Sequence, residues 1–290
     1  SGFALVTDND KNLFGLSSDH KQRIIDRMRK RGKAQAESPL MVKSGLSRMS
    51  QNIAKEYYQV EDLPGLKQLQ IQAIAAEKFG IENPFFRCHD AVASSTTSIA
   101  GQSYINYSSY NYLGLNGHPR VSQAAKQAID KYGTSASASR PVSGERPVHR
   151  ELEKSLAAFH KTEDCVVFVS GHAANVTTIG CLFGIRDLIV HDTLAHNSII
   201  QGVILSGAKR LSYPHNDYDA LNKILQENRR RFERVIVITE GLYSMDGDIP
   251  DMNRILEIKK HYKVFLMVDE AHSLGVLGDT GRGISQHCGV

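Results

Sequence analysis

The chain has 290 residues and a mass of 32.1 kDa, with 41% hydrophobic and 23% charged residues, the composition of a soluble globular protein with one large α/β domain or two smaller ones. The net charge of +4 and a pI near 8.8 are mild, and no aromatic-rich basic motif accompanies them, so nucleic-acid binding has little support. The apolar runs "CVVFV" and "VFLMV" are strand-length and too short to span a bilayer, and four scattered cysteines without a C-x-x-C pair argue against a zinc module or disulfide framework and fit a reducing cytoplasm.

Residues 1–52 are polar and basic, and seven Lys/Arg face two Asp between Asp19 and Lys33. "DHKQRIIDRMRKRGK" reads as a short amphipathic helix whose basic face is either simply solvated or meets an acidic partner, and the whole stretch reads as a basic linker or docking segment. The start "SGF", without Met, suggests an excised piece of a longer polypeptide or a cloning scar. From Ile53 to Phe79 the apolar spacing predicts helices broken at Pro64-Gly65. "FFRCHDAVASSTTSIAGQSYINYSS" reads as a hairpin-like extended region with its turn near Gly101, and residues 53–105 together as an amino-terminal helical and extended segment.

Beyond it, residues 106–290 alternate. Helices are predicted at Pro119–Tyr132 and Val148–Phe159, followed by a strand at "CVVFVS" entering a helix at Gly171. Then come strand "LIVHD", helix "NSIIQGVILSG", strand "KRLSYPH", helix "DALNKILQENRRR", strand "RVIVITEG", helix "MNRILEIKKHY" and strand "VFLMVDEAH". Such alternation implies βαβ units in a largely parallel sheet, whose ligands collect at the carboxyl ends of the strands.

"DEAH" in residues 269–272 admits two chemistries: the acidic box of an ATP-driven helicase, or a carboxylate and an imidazole beneath an aromatic cofactor. The first needs a phosphate loop, G-x-x-x-x-G-K-[ST]. The only Gly-Lys pair, Gly32-Lys33, has Arg27 and Ala34 where Gly and Ser or Thr belong. A nucleophile elbow is absent too, and "GDTGRG" follows no strand directly, so it reads as a loop. The predicted strand ends instead deliver Gly171-His172, His191, Asp192 and His196, Glu240 and Ser244, and Asp269, Glu270 and His272. A glycine-led helix start suits an anion, a buried carboxylate can keep a pyridine nitrogen protonated, and an imidazole can lie against the ring. These parts suit pyridoxal phosphate. Singly, each has a plainer account: His196 as an ordinary half-buried histidine, Asp269 as a cap or ion-pair partner, Ser170-Gly171 as a turn. His191 with His196 would suggest a metal pair, but no further ligand follows at a suitable spacing. The repetition at successive strand ends favours the cofactor.

From about Tyr104 the chain resembles the α-oxoamine synthases, fold-type I pyridoxal-phosphate enzymes that include 8-amino-7-oxononanoate synthase, 2-amino-3-ketobutyrate ligase, 5-aminolevulinate synthase and serine palmitoyltransferase. The stretches that carry the resemblance are "NYSSYNYLGLNGHP", "GTSASASRPVSGERPVHRELE", "VSGHAANVTTIG", "HDTLAHNSII", "TEGLYSMDGDIPD" and "LMVDEAHSLGVLGDTGRG". It implies an α/β large domain with a mostly parallel sheet flanked by helices, here incomplete and without the carboxyl-terminal small domain. It also implies pyridoxal 5'-phosphate as cofactor, and decarboxylative condensation of a small amino acid with an acyl thioester, carried by CoA or by an acyl carrier protein, to an α-amino ketone. Carried over by position, Gly171 and His172 would meet the phosphate. His196 would stack on the ring, Asp269 would pair with its nitrogen, and Ser244 and His272 would bond its phenolic oxygen. His196, Asp269 and His272 are thus the catalytic set, while Tyr110 and Asn111 would approach the substrate.

The resemblance further implies a homodimer. "GIENPFF" and "VSGERPVHRELE" are similar to synthase domains fused behind acyl carriers in polyketide or prodiginine-type assembly lines, which would make the segment around Arg27–Lys33 a carrier-docking element. One departure matters: the family's Schiff-base lysine follows the D-x-x-H block, and no lysine follows Lys263 here. The expectation is a fragment that ends before that lysine. Half of a split enzyme and a lysine-free, non-catalytic subunit of such a synthase are the alternatives.

Overall fold

The computed structural model describes residues 53–83 and 85–290. The expected basic helix, and with it the docking segment at Arg27–Lys33, lies outside these residues. The chain divides into two compact units, one ending at Phe86 and the other spanning Arg87–Val290.

In the first unit, two 3-10 turns, Lys55–Tyr57 and Val60–Asp62, lead into helix α1 (Pro64–Lys78). Pro64-Gly65 therefore starts a helix where a break was expected. Proline at the first helical position has no amide to leave unpaired and its φ already suits the helix, so it initiates more readily than it interrupts.

The second unit opens with a hairpin, β1 (Thr96–Ile99) and β2 (Gln102–Ile105), whose turn at Ala100-Gly101 falls where the sequence places it. Helices α2 (Pro119–Tyr132) and α3 (Pro147–His160) follow, both with Pro in the first turn. Next come α4 (Gly171–Leu182), β3 (Leu188–Asp192), α5 (Asn197–Ser206) and β4 (Lys209–Tyr213). The unit ends with α6 (Tyr218–Asn228), β5 (Val235–Glu240), α7 (Met252–Tyr262), β6 (Phe265–Asp269) and α8 (Ile284–Cys288). Four strands pair in the order β4-β3-β5-β6, all parallel.

β3 and β5 are apolar almost throughout because both of their faces are covered. Alternate residues separate to opposite layers, as the two-residue period of a strand requires. Leu188, Val190, Val235 and Val237 pack with Leu221, Leu225 and Ile258 of α6 and α7. Ile189, Ile236 and Ile238 pack with Ile179, Ile199 and Val203 of α4 and α5. Each such side chain contributes about 1.5–3 kcal/mol by leaving water.

"CVVFVS" departs from expectation. It forms no strand: its residues carry no regular secondary structure, bend at Val169-Ser170, and pair with no strand among the described residues. Side chains serve its backbone instead: the Val167 amide donates to Glu153 Oε1 (3.0 Å), and Arg140 donates to the Val167 carbonyl (3.2 Å). Arg140 also pairs with Glu153 at 2.7 Å and holds that carboxyl down to about 2. The apolar pattern misled twice over: Val166, Phe168 and Val169 are exposed, and the pairing partner a strand needs is something no local pattern encodes.

Candidate active site

The carboxyl ends of β3, β5 and β6 converge with the amino end of α4. Asp269 closes β6 beside Glu240 of β5, its register partner. Its Oδ1 accepts from the Ala271 amide (3.0 Å) and its Oδ2 from Asn175 Nδ2 on α4 (2.7 Å). The same Asn175 nitrogen bonds Ser198 Oγ at 2.9 Å, and Ser198 Oγ lies 2.7 Å from Nδ1 of His196. Asp269, Asn175, Ser198 and His196 thus form one unbroken hydrogen-bonded chain.

His196 caps the amino end of α5, its Nδ1 accepting from the Ser198 amide at 3.2 Å. Its own backbone amide donates to Glu240 Oε1 at 2.6 Å. Burial raises the Glu240 carboxyl to about 7 against the lowering effect of that amide, and the Asp269 and Asp192 carboxylates push the same way as burial. Glu240 is therefore a carboxyl that titrates near neutrality directly beneath His196.

The ring of His172 stands edge-on to that of His196, with centroids 6.4 Å apart. Ser170 caps α4 by accepting from the Ala173 amide at 3.0 Å, which places the amides of Gly171 and His172 ahead of the capped one, where an anion would meet them. The space beside the Gly171 α-carbon is open.

His272 lies three residues beyond Asp269. The Tyr112 hydroxyl bonds its Nδ1 at 2.7 Å, and the Tyr110 ring lies 6.0 Å from its own. These residues line a cavity of about 460 Å³ with Asn111, Leu113, Leu115, Ala271 and Leu274. The Asn111 side-chain amide is already engaged, donating to the Ala93 carbonyl ahead of the hairpin (2.7 Å) and accepting from the Asn116 amide in its own loop (2.9 Å). Ser244 is exposed in the loop after β5, and its hydroxyl has no hydrogen-bond partner among the described residues. Glu270 turns away from the site, accepting from the Ser273 hydroxyl and from the Ile284 amide.

A second polar cluster braces the loops that carry His196 and Ser244. His215 bonds buried Asp192 (3.0 Å) through Nδ1 and Asp248 (2.6 Å) through Nε2. Asp192 also accepts from the Leu194 amide, two residues before His196, and the Tyr243 amide donates to the Asp248 carbonyl. Burial alone would lower His215, but the bonds to Asp192 and Asp248 prevail and raise it. His191, by contrast, is lowered by burial, and its Nδ1 faces the Asp192 carbonyl at 2.7 Å. No group of three or more metal-ligating side chains occurs among the described residues.

The structure brings His172, His196 and Asp269 together, places His272 with Tyr110 and Tyr112, and leaves Ser244 exposed in its loop. Asn175, Ser198 and Tyr112 are additions, and Glu240, named at its strand end without a role, gains one as the acceptor of the His196 amide. Ser198 alone had a local signal, a hydroxyl two residues after a helix-capping histidine. Asn175 reaches a partner 94 positions away. The donor set suits pyridoxal phosphate: a half-buried carboxylate with lone pairs beyond its two bonds, neighbouring imidazoles and a capped helix start facing open space.

Comparison with known proteins agrees. A family model described as aminotransferase class I and II matches residues 102–288. A putative 8-amino-7-oxononanoate synthase of Gloeobacter violaceus is 44% identical over 204 residues, covering 70% of this chain and 53% of that protein. The serine palmitoyltransferase structure of Sphingomonas wittichii superposes with a TM-score of 0.75 at 33% identity, covering 79% of this chain and 57% of the other. A serine palmitoyltransferase of S. paucimobilis, solved with bound PLP, superposes at 0.74 with 31% identity, covering 78% and 56%. The chain spans about half the length of the relatives it matches.

Proposed function

Because this chain belongs to the aminotransferase class I and II family, and within it to the α-oxoamine synthases, we propose that it forms the cofactor-binding part of a pyridoxal-phosphate-dependent acyltransferase. The reaction joins the α-carbon of a small amino acid to the acyl carbon of a thioester. The amino acid's carboxylate leaves as carbon dioxide, the C–S bond breaks to release a thiol, and an α-amino ketone results. The observation that supports this reading most is the bonded chain from Asp269 to His196 at the strand ends.

When bound, pyridoxal phosphate supplies an electron sink for negative charge at the amino acid's α-carbon. Asp269, oriented by Asn175 and the Ala271 amide, would hold a proton on the pyridine nitrogen. His196 would offer the flat of its ring, its backbone fixed by Glu240. The amides of Gly171 and His172 at the amino end of α4 would hold the phosphate. His272, whose Nδ1 is taken by Tyr112, would use Nε2 toward the phenolic oxygen, which Ser244 would also bond. Tyr110 and Tyr112 wall the substrate side, while Asn111 shapes the loop that carries them.

Residues 106–290 are proposed as the cofactor-binding large domain and 1–52 as a connecting segment. A carrier-bound acyl donor of polyketide type belongs to the same proposal, supported by the "GIENPFF" and "VSGERPVHRELE" stretches; so do a homodimer, by family resemblance, and a cytoplasmic setting, by the scattered cysteines. Among the described residues no helix is long and apolar enough to cross a membrane.

The test is to supply the full protein with pyridoxal phosphate, glycine, alanine or serine, and acyl-CoA or acyl carrier protein donors. Equal release of carbon dioxide and thiol is expected with one pairing. Cofactor binding without thiol release from any donor would overturn the catalytic reading and favour a non-catalytic subunit.

A further inference from the structure

The chain of bonds at the site contains enough donors and acceptors to fix every proton in it. Asp269 offers only acceptors, so the Asn175 atom facing it must be the amide nitrogen. That nitrogen's second proton then goes to Ser198 Oγ, at 2.9 Å. Ser198 is completely buried and Asn175 nearly so, and neither has water to substitute for these partners. The Ser198 backbone amide lies 3.2 Å from His196 Nδ1 and favours a lone pair there, and the shorter contact from the Ser198 hydroxyl, at 2.7 Å, adds the larger share of that preference. His196 Nδ1 is therefore unprotonated, the Ser198 hydroxyl donates to it as well, and the ring proton belongs on Nε2.

We propose that Asn175 and Ser198 are positioning residues that lock His196 in the Nε2–H tautomer and couple its ring to the Asp269 carboxylate. The lock gives the ring a fixed donor at Nε2 and joins His196 to the Asp269 carboxylate through one hydrogen-bonded chain. The relevance to the cofactor rests on the function proposed above; the tautomer itself does not.

Nitrogen-15 NMR of the histidine side chains in the full protein, before and after pyridoxal phosphate is added, tests this. His196 should show an unprotonated Nδ1 and a protonated Nε2 in both states. Ser198→Ala and Asn175→Ala should each shift the ring toward mixed tautomers, Ser198→Thr should restore the original pattern, and circular dichroism should show the variants folded. Each alanine variant should weaken cofactor binding about five- to tenfold, as loss of one bond to a buried polar group does, and the double variant should lose less than the product of the two. A wild-type ring protonated on Nδ1, or a tautomer unmoved by both alanine variants in folded protein, would overturn the proposal. If the cofactor fails to bind while the tautomer responds as stated, the functional reading falls and the lock stands.

Discussion

Glu240 shows how much one residue can hold at this site. Its carboxyl is raised to about 7, so between its ordinary value near 4.5 and 7 the folded protein binds a proton that the unfolded chain has released. Stability from this group is complete below about pH 4.5 and declines as pH rises toward 7. Glu240→Gln keeps an oxygen for the His196 amide and removes the titration. Denaturant unfolding from pH 4.5 to 7 should therefore show a wild-type decline, on the order of 2 kcal/mol steeper than in Glu240→Gln; equal slopes would refute the assignment. Asp269, His272 and His196 were legible because an apolar run ending in a polar residue marks a strand end in a parallel sheet. Asn175 was not. An asparagine inside a helix is ambiguous until a carboxylate 94 positions away is folded against it.

At the scale of elements, the relay works because α4 and α5 pack closely enough for Asn175 to reach Ser198. Gly202 allows that approach: a Cβ there would lie 2.9 Å from the Ile179 Cβ and 3.0 Å from the Asn175 carbonyl oxygen. Those neighbours are a buried β-branched side chain and backbone, and neither yields easily. Gly180, on the facing helix, would meet only the Leu205 side chain (Cδ2 at 2.7 Å, Cγ at 3.0 Å and Cβ at 3.4 Å), which is exposed and can turn aside. Gly202→Ala should destabilise the fold by about 1–3 kcal/mol through overpacking. Gly180→Ala should be near neutral or slightly stabilising, since alanine suits a helix better than glycine. Chemical denaturation of the two variants decides it, and equal effects would contradict this packing account. The four paired strands and the helices up to Tyr262 were readable from periodicity and caps, whereas the short helix at Ile284–Cys288 was not foreseen. "CVVFVS" was misread as a paired strand because an apolar run fixes neither burial nor pairing by itself; Val166, Phe168 and Val169 stay exposed, and pairing depends on a neighbour supplied from elsewhere.

For the Arg87–Val290 unit as a whole, the site rests on a frame of graded solidity. β3 and β5 are buried at every position and paired on both sides, while β6 and β4 each pair with one strand among the described residues and β4 is mostly exposed. The His215 clasp ties the loops after β3 and β5 to that central pair. Amide hydrogen exchange should follow this order: the β3 and β5 amides exchange last, through unfolding of the whole unit, and those of β4 and β6 exchange earlier through partial opening. Slower exchange in β6 than in β5 would contradict it. His196 and Glu240 are thus rooted in the two slowest-exchanging strands, and Asp269 ends a strand free to loosen first. Local breathing of the molecule would then separate the two ends of the bonded relay along a single seam, between β5 and β6, so the carboxylate could be released from the imidazole without disturbing the rest of the core.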